Sequence, residues 1–130
     1  MVVYQKRSRR KVSGGRYIVS EKKKYANIGS LPTFTRVGDR KLKIKRATGG
    51  NLKQSLLTAN KVNVMNPKTK KSQITDVVTV VENPANRNFI RRNIITKGTI
   101  LETKLGKVKI TSRPGQEGTL NGILLQWINF

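Results

Sequence analysis

The sequence predicts an all-β fold, a small barrel or barrel-like Greek key of about 5–6 short strands, with one short helix and a basic N-terminal arm. One observation is the composition, with 12 Val, 11 Ile and 12 Thr against 10 Leu, 4 Ala and 2 Met. β-branched side chains are stiff at χ1 and pack well on a pleated sheet, so this excess favours strands. The other observation is spacing, because short apolar runs alternate with turn residues through the later part of the chain.

The arm is predicted over residues 1–40 and the β-barrel core over residues 41–130. Nine of the first 24 residues are Lys or Arg, and only Glu21 is acidic. This stretch has no sustained period of 2 or 3.6 and contains Gly14-Gly15, so we expect it to be extended or disordered when free. It is expected to become ordered on its partner.

A strand is predicted from Lys41 to Arg46, where basic and apolar residues alternate. The alternation places Leu42 and Ile44 on one face and the lysines at 41, 43 and 45 on the other, so the strand has one cationic side. Gly49-Gly50-Asn51 then breaks the pattern. Asn51 is predicted to cap one short helix through Leu56-Leu57, because Leu52 and Leu56 stand four residues apart.

Two more strands and a loop are predicted in the middle of the chain. Val62 and Val64 alternate with polar residues, and the polar run 66–71, which begins Asn-Pro, indicates a hairpin loop. The returning strand runs from Ile74 to Val81, with apolar residues on both faces as in the middle of a closed or covered sheet. Residues 82–86 form another break.

The last third predicts a hairpin and a closing strand. Residues 99–105 and 107–111 are β-rich runs joined around Gly106, which indicates a tight turn. Residues 114–118 form a turn by composition, and residues 120–128 form the closing strand. Trp127 is expected to finish that strand.

The charge indicates a polyanionic partner. The chain carries 28 Lys and Arg against 6 Asp and Glu, a formal net charge of +22. A compact chain with this charge repels itself strongly, so we expect a partner that neutralises it, with nucleic acid ahead of an anionic membrane. No apolar run approaches the roughly 18–20 residues that span a bilayer, so the chain is expected to be soluble, not secreted and without a membrane partner.

Absent residue types argue against most enzyme classes. The chain has no His, no Cys and only six carboxylates, so it lacks the usual zinc ligands, a thiol nucleophile and an imidazole base. It has no P-loop and no G-x-G-x-x-G motif. We therefore predict no catalytic residue, no metal site, no cofactor and no small-molecule substrate. The absence of Cys fits a reducing compartment.

Clustered cations suggest sites of RNA binding, because each Lys or Arg placed on a phosphate releases condensed counterions. A solubilising surface or a nuclear address is the alternative for the arm. The glycine pairs 14–15 and 49–50 are either turn glycines or places where the backbone approaches a sugar-phosphate chain closely. The predicted RNA-binding residues are Lys6, Arg7, Arg9, Arg10, Lys11, Gly14, Gly15, Arg16, Lys22, Lys23, Lys24, Lys43, Lys45, Arg46, Gly49, Gly50, Asn51, Lys53, Asn86, Arg87, Arg91, Arg92, Lys97 and Arg113.

Residues 83–93 combine three Arg with four Asn and one aromatic residue. Arg forks phosphate oxygens and stacks on bases, and Asn offers a donor and an acceptor to base edges and 2′-hydroxyls. Phe89 either stacks on a base or is buried. Aromatic residues make up only 5% of the chain, which disfavours a protein that reads single strands mainly by stacking.

Several motifs resemble the eight-e family of archaeal and eukaryotic small-subunit ribosomal proteins. They are residues 82–87, 91–98 and 111–116, together with 10–16 and 49–51, so the resemblance extends over nearly the whole chain. The chain lacks the insertions of eukaryotic members and is most similar to the archaeal form.

This resemblance implies a β-barrel core and a basic arm built into the small ribosomal subunit in the cytoplasm. The implied partners are small-subunit rRNA and neighbouring ribosomal proteins, with no catalytic role, and the free protein is expected to be a monomer. The alternative is a ribosome-assembly factor or RNA chaperone acting on pre-ribosomal RNA. Both hypotheses require the basic surface.

Overall fold

The computed structural model describes residues 3–19 and 21–125. Internal contacts divide the chain into two units, Met1–Pro32 and Thr33–Phe130. Trp127 and the end of the predicted closing strand, residues 126–128, lie outside the described residues.

The first unit has an irregular backbone tied by a few hydrogen bonds. Single antiparallel bridges join Tyr4 to Ile28 and Arg10 to Arg16, and one 3₁₀ turn covers Tyr25–Asn27. Apolar side chains such as Ile18 and Tyr25 are 94% and 93% exposed. The described side chains of this unit are mostly exposed.

Nine strands lie in the described part of the second unit. They are β1 Thr35–Val37, β2 Lys41–Arg46, β3 Leu52–Ala59, β4 Lys61–Met65, β5 Ser72–Glu82, β6 Ile94–Ile95, β7 Ile100–Thr103, β8 Gly106–Ile110 and β9 Asn121–Leu124. A single turn of α-helix, α1, covers Asn88–Arg91.

Five of these strands close into a barrel in the order β4-β5-β7-β8-β9. Neighbours are antiparallel except β4 and β9, whose parallel pairing closes the barrel. In β4, Val62 and Val64 are 0% and 2% exposed, and the alternating polar residues point outward. The predicted all-β, barrel-like fold class is confirmed.

The other four strands form a sheet in the order β2-β3-β1-β6. β2 and β3 are antiparallel, and β1 is parallel to β3. Leu56 and Ile95 of this sheet belong to the same buried cluster as the barrel residues Leu101 and Val108. The sheet therefore shares one hydrophobic core with the barrel.

The predicted helix from Asn51 to Leu57 is wrong, because residues 52–59 form β3. Leu52 is 67% exposed and Leu56 is 1% exposed, so the two leucines do not form a common apolar stripe. Antiparallel pairing with β2 decides the conformation. The α-helical turn forms instead at residues 88–91.

Two other strand details differ from the expectation. β5 does not bury both faces, since Val77 and Val80 are inside but Val78 and Val81 are 53% and 37% exposed. The pairing of β5 with β7 contains register shifts, which explains why Val77 and Val80, three positions apart, both point inward. The predicted hairpin is present, with turn residues Lys104 and Leu105, and Gly106 begins β8 at a φ of 125°.

Candidate nucleic-acid interface

The positive charge of the chain exceeds what its own carboxylates can neutralise. Six Asp and Glu face 28 Lys and Arg. Glu21 pairs with Lys6 at 2.5 Å, and Asp76 pairs with Lys104 at 2.6 Å. In each pair the lysine's hydrogen bond, followed by its charge, lowers the pKa of the carboxyl group. Most of the cations are therefore available to an external anion.

In the first unit, a tight turn presents the cations of the segment from Arg9 to Arg16. The N–H of Lys11 donates to the Gly15 carbonyl at 2.8 Å, and the N–H of Gly14 donates to the Lys11 carbonyl at 3.0 Å. Gly14 has a φ of 85°, and nothing lies within 4 Å of the position that a Cβ would take. The turn thus requires glycine for its conformation and leaves the space beside it open.

Aromatic rings organise several cations of the same unit. The guanidinium of Arg7 lies 3.9 Å from the ring centroid of Tyr17, and the ammonium of Lys11 lies 5.4 Å from it. Lys23 lies 5.1 Å from the ring centroid of Tyr4. These contacts hold long side chains near fixed positions, as cation–π contacts do.

In the second unit, strands β2 and β3 carry a lysine face, defined as Lys43, Lys45 and Lys53. Lys45 and Lys53 are register partners on adjacent strands, so their side chains leave the same face of the sheet. Like charges directly opposite each other destabilise a sheet, and a bound phosphate would relieve this cost. Arg46 alternates to the opposite face of β2 and does not join the lysine face.

The Gly49-Gly50-Asn51 connection between β2 and β3 is a turn built on unusual backbone angles. Gly49 and Gly50 have φ of 75° and 77°, and Asn51 donates from Nδ2 to the Thr48 carbonyl at 3.1 Å. No atom lies within 4 Å of a Cβ built on Gly50. Gly49 and Gly50 are therefore turn glycines, and Gly50 also has open space beside its backbone.

The short helix α1 contains Arg91 and is flanked by Arg87 and Arg92. Asn86 accepts the backbone N–H of Asn88 on Oδ1 at 2.9 Å, which satisfies a donor at the start of the helix. Arg87 and Arg91 stand one helical turn apart and are exposed. The side-chain oxygen of Asn86 therefore has a structural role in holding this turn.

Arg92 lies over an aromatic ring that sequence reasoning missed. Its guanidinium is 5.6 Å from the centroid of Phe34, and the Phe34 ring meets Phe89 edge to face at 5.5 Å. Phe89 is half-buried, whereas Phe34 is 40% exposed. Phe89 therefore packs against the ring of Phe34, the residue just before β1, and Phe34 in turn contacts Arg92.

Buried Asn83 connects two loops that carry predicted RNA-binding residues. Its Nδ2 donates to the Ile94 carbonyl at 3.1 Å, and its Oδ1 accepts from the Ala85 N–H and the Thr96 hydroxyl, each at 3.0 Å. Lys97, next to Thr96, is exposed on the second loop. Because Asn83 is 4% exposed, it positions these loops and does not contact a ligand.

Arg113 is exposed at the start of a loop that is fixed to β3. The Leu56 N–H donates to the Pro114 carbonyl at 2.8 Å, and the Ser55 hydroxyl donates to the Gly115 carbonyl at 2.8 Å. The Arg113 carbonyl itself accepts from the N–H groups of Gln116 and Glu117. These hydrogen bonds hold the loop against β3 at Ser55, which is the register partner of Lys43 on β2.

The predicted site residues thus separate into groups. The first unit holds Lys6, Arg7, Arg9, Arg10, Lys11, Gly14, Gly15, Arg16, Lys22, Lys23 and Lys24. In the second unit, the β2–β3 pair holds the lysine face, Arg46 and the glycine turn. The loops around α1 hold Arg87, Arg91, Arg92, Asn86 and Lys97, and Arg113 lies in the loop between β8 and β9. The surface is suited to binding phosphates.

Within residues 3–19 and 21–125, no helix is both long and apolar enough to cross a membrane. Nor does this part of the chain bring together three or more Asp or Glu side chains that could hold a metal ion.

Known proteins are similar to this sequence over nearly its full length. The family model described as Ribosomal protein S8e matches residues 4–125. A Methanobrevibacter smithii protein named small ribosomal subunit protein eS8 is 52% identical over 125 residues, 96% of this chain and 100% of that protein. Proteins of the same name from Nanoarchaeum equitans and Methanococcus aeolicus are 50% and 48% identical, over 95% and 96% of this chain and 97% and 98% of their own. The match takes in the arm, the lysine face and the arginine loops, and the chain belongs to the ribosomal protein S8e family.

Proposed function

We propose that this protein is a structural constituent of the small ribosomal subunit that binds and stabilises small-subunit rRNA. Its place is the cytoplasmic ribosome, where neighbouring ribosomal proteins are its other partners and translation is the process it supports. The observation that carries the proposal is the exposed cationic surface of a chain with 28 basic and 6 acidic residues. Membership of the ribosomal protein S8e family selects rRNA among polyanions.

The arrangement of cations supports positioned contacts in addition to general attraction. The lysine face sets Lys45 opposite Lys53 on a regular sheet, and Arg92 is stacked near Phe34. Charged groups held by a rigid scaffold bind phosphates with less loss of side-chain entropy than free chains do.

The test measures the salt dependence of binding between the full-length protein and small-subunit rRNA. Each phosphate neutralised contributes about −0.7 to −0.9 to the slope of log K against log salt. Changing Lys43, Lys45 and Lys53 to Gln is expected to reduce the magnitude of the slope by about 2 to 3. A slope near zero for the parent protein would contradict the proposal.

The matched control changes Lys68, Lys70 and Lys71 to Gln. These lysines are exposed in the loop between β4 and β5. Their substitution removes the same charge, but they are not among the predicted RNA-binding residues. We expect the slope to stay near that of the parent. Equal effects of the two variants would show that only total charge matters.

Sedimentation separates a structural constituent from a factor that acts during assembly. A constituent should travel with mature small subunits at about one copy each, and an assembly factor or RNA chaperone only with precursors. Presence on precursors alone would contradict the proposed role and support an assembly factor or RNA chaperone instead.

A further inference from the structure

We infer that the first unit contains a binding groove for unpaired nucleotides of RNA. The groove has a volume of about 940 Å³ and is bordered by Tyr4, Tyr17 and Ile18 together with cations. This inference rests on the proposed function, since it names the part of the RNA that this unit would hold. All of the residues concerned lie within residues 4–23.

The size and the lining of the groove suit a short stretch of single-stranded RNA. Its volume of about 940 Å³ is near the upper end of the roughly 300–1,000 Å³ of ligand sites. Ile18 is 94% exposed and Val19 is 68% exposed, and both border the groove. An apolar lining of this kind gains free energy only from a ligand that also presents apolar surface.

The cations bordering the groove select an anionic ligand. Arg7, Arg9, Lys22 and Lys23 line it, and its carboxylate, Glu21, is paired with Lys6 at 2.5 Å. That pairing lowers the pKa of Glu21 and compensates its charge, so the groove keeps a net positive field. A phosphate chain meets these requirements.

Apolar lining and positive rim together favour single-stranded RNA over a duplex. In a duplex the base faces are stacked on each other and only phosphates and groove edges are exposed, whereas unpaired bases present their faces to aromatic rings and guanidinium planes. Arg7 already stacks 3.9 Å from the Tyr17 centroid. A base laid on this pair would continue the stack, with its phosphate against the neighbouring cations.

The experiment uses the full-length protein and proton NMR of its tyrosine rings. The chain has three tyrosines, and Tyr25 is 93% exposed and absent from the groove lining, so it serves as an internal control. Addition of a hexauridylate should shift the ring protons of Tyr4 and Tyr17 upfield and leave those of Tyr25 in place. A blunt RNA duplex with the same number of phosphates should not produce these ring shifts.

Affinity for the hexauridylate gives the second measurement. Changing Tyr17 to Leu should weaken binding about tenfold, while Tyr17→Phe keeps the ring and should stay close to the parent. Tyr25→Leu is the matched control and should change little. Unfolding followed by circular dichroism checks that the barrel is intact in each variant.

Three outcomes would overturn the inference. One is binding of the rRNA without ring shifts of Tyr4 and Tyr17, which would leave the proposed function standing. Another is stronger binding and larger ring shifts with an acidic, leucine-containing peptide, which would assign the groove to a protein partner. The third is an equal loss of affinity for the hexauridylate in Tyr17→Leu and Tyr25→Leu. Failure to bind any RNA would instead contradict the proposed function itself.

Discussion

At the scale of single residues, planar guanidinium groups are expected to act differently from ammonium groups. Arg87, Arg91, Arg92 and Arg113 stand on short, hydrogen-bonded segments, and Arg92 lies 5.6 Å from the Phe34 centroid. Changing all four to Lys keeps the charge but loses bidentate geometry and stacking. We expect binding to small-subunit RNA to weaken about tenfold, equivalent to about 1.4 kcal/mol.

Filter binding at one fixed salt concentration measures this effect, with a random RNA of equal length as the comparison. Arg36→Lys, an exposed position on β1 outside these segments, is the control protein. Loss on the small-subunit RNA alone supports positioned contacts. Unchanged affinity for both RNAs would show that the four arginines act only as charge.

The contacts that position individual residues could not be predicted from the sequence. The residue types of the arginine-rich segment indicated phosphate binding, but the sequence did not show that Phe34 contacts both Phe89 and Arg92 across more than 50 positions. Nor did it separate the four asparagines of residues 83–93. Asn83 is buried and joins loops, while the Asn86 side chain accepts a local hydrogen bond from the Asn88 N–H. The burial that separates these roles comes from tertiary packing.

At the scale of elements, closure of the barrel depends on close approach at Gly122. A Cβ there would lie 3.0 Å from the Lys109 carbonyl oxygen and closer still to the Val108 side chain. We expect Gly122→Ala to lower the free energy of unfolding by about 1–3 kcal/mol through overpacking. Urea denaturation of the full chain measures this change.

Gly15→Ala provides the control for that substitution. Its Cβ would meet nothing closer than 3.8 Å, so we expect a change within about 0.5 kcal/mol. If both alanine variants unfolded at the same urea concentration, the contact between β8 and β9 would not limit stability.

Elements with long periodic patterns were predictable, and elements defined by their partners were not. The pattern of β4 and its hairpin to β5 was confirmed because alternation of Val62 and Val64 directly reflects one buried face. β1 and β6 have only three and two residues, too few to show a period. β3 carried a helical spacing of leucines, and pairing with β2 overrode it.

At the scale of the whole molecule, removal of the first unit should separate folding from binding. The buried hydrophobic cluster draws its members from positions between Leu56 and Leu120, and residues 1–32 carry nine of the 28 basic residues. A protein lacking residues 1–32 is expected to keep a cooperative thermal transition and to bind RNA more weakly, with a smaller salt slope.

Circular dichroism and RNA titration of the shortened protein test this expectation together. The division of the chain into units at Pro32 and Thr33 supports it, although β1 begins at Thr35 within the stretch that composition alone assigned to the arm. A shortened protein that melts without a cooperative transition would make the first unit part of the folding core.

The parallel pairing of β4 with β9 has a consequence for the order of events during protein synthesis. Asn63 of β4 pairs early with Ile74 of β5, but its partner on the other side is Asn121 of β9. The barrel therefore cannot close until β9 has been translated. Contacts between distant positions form slowly because a long loop must be closed first. Most of the basic residues therefore leave the ribosomal exit tunnel before any closed barrel exists. We expect the nascent chain to meet polyanions while it is still unfolded.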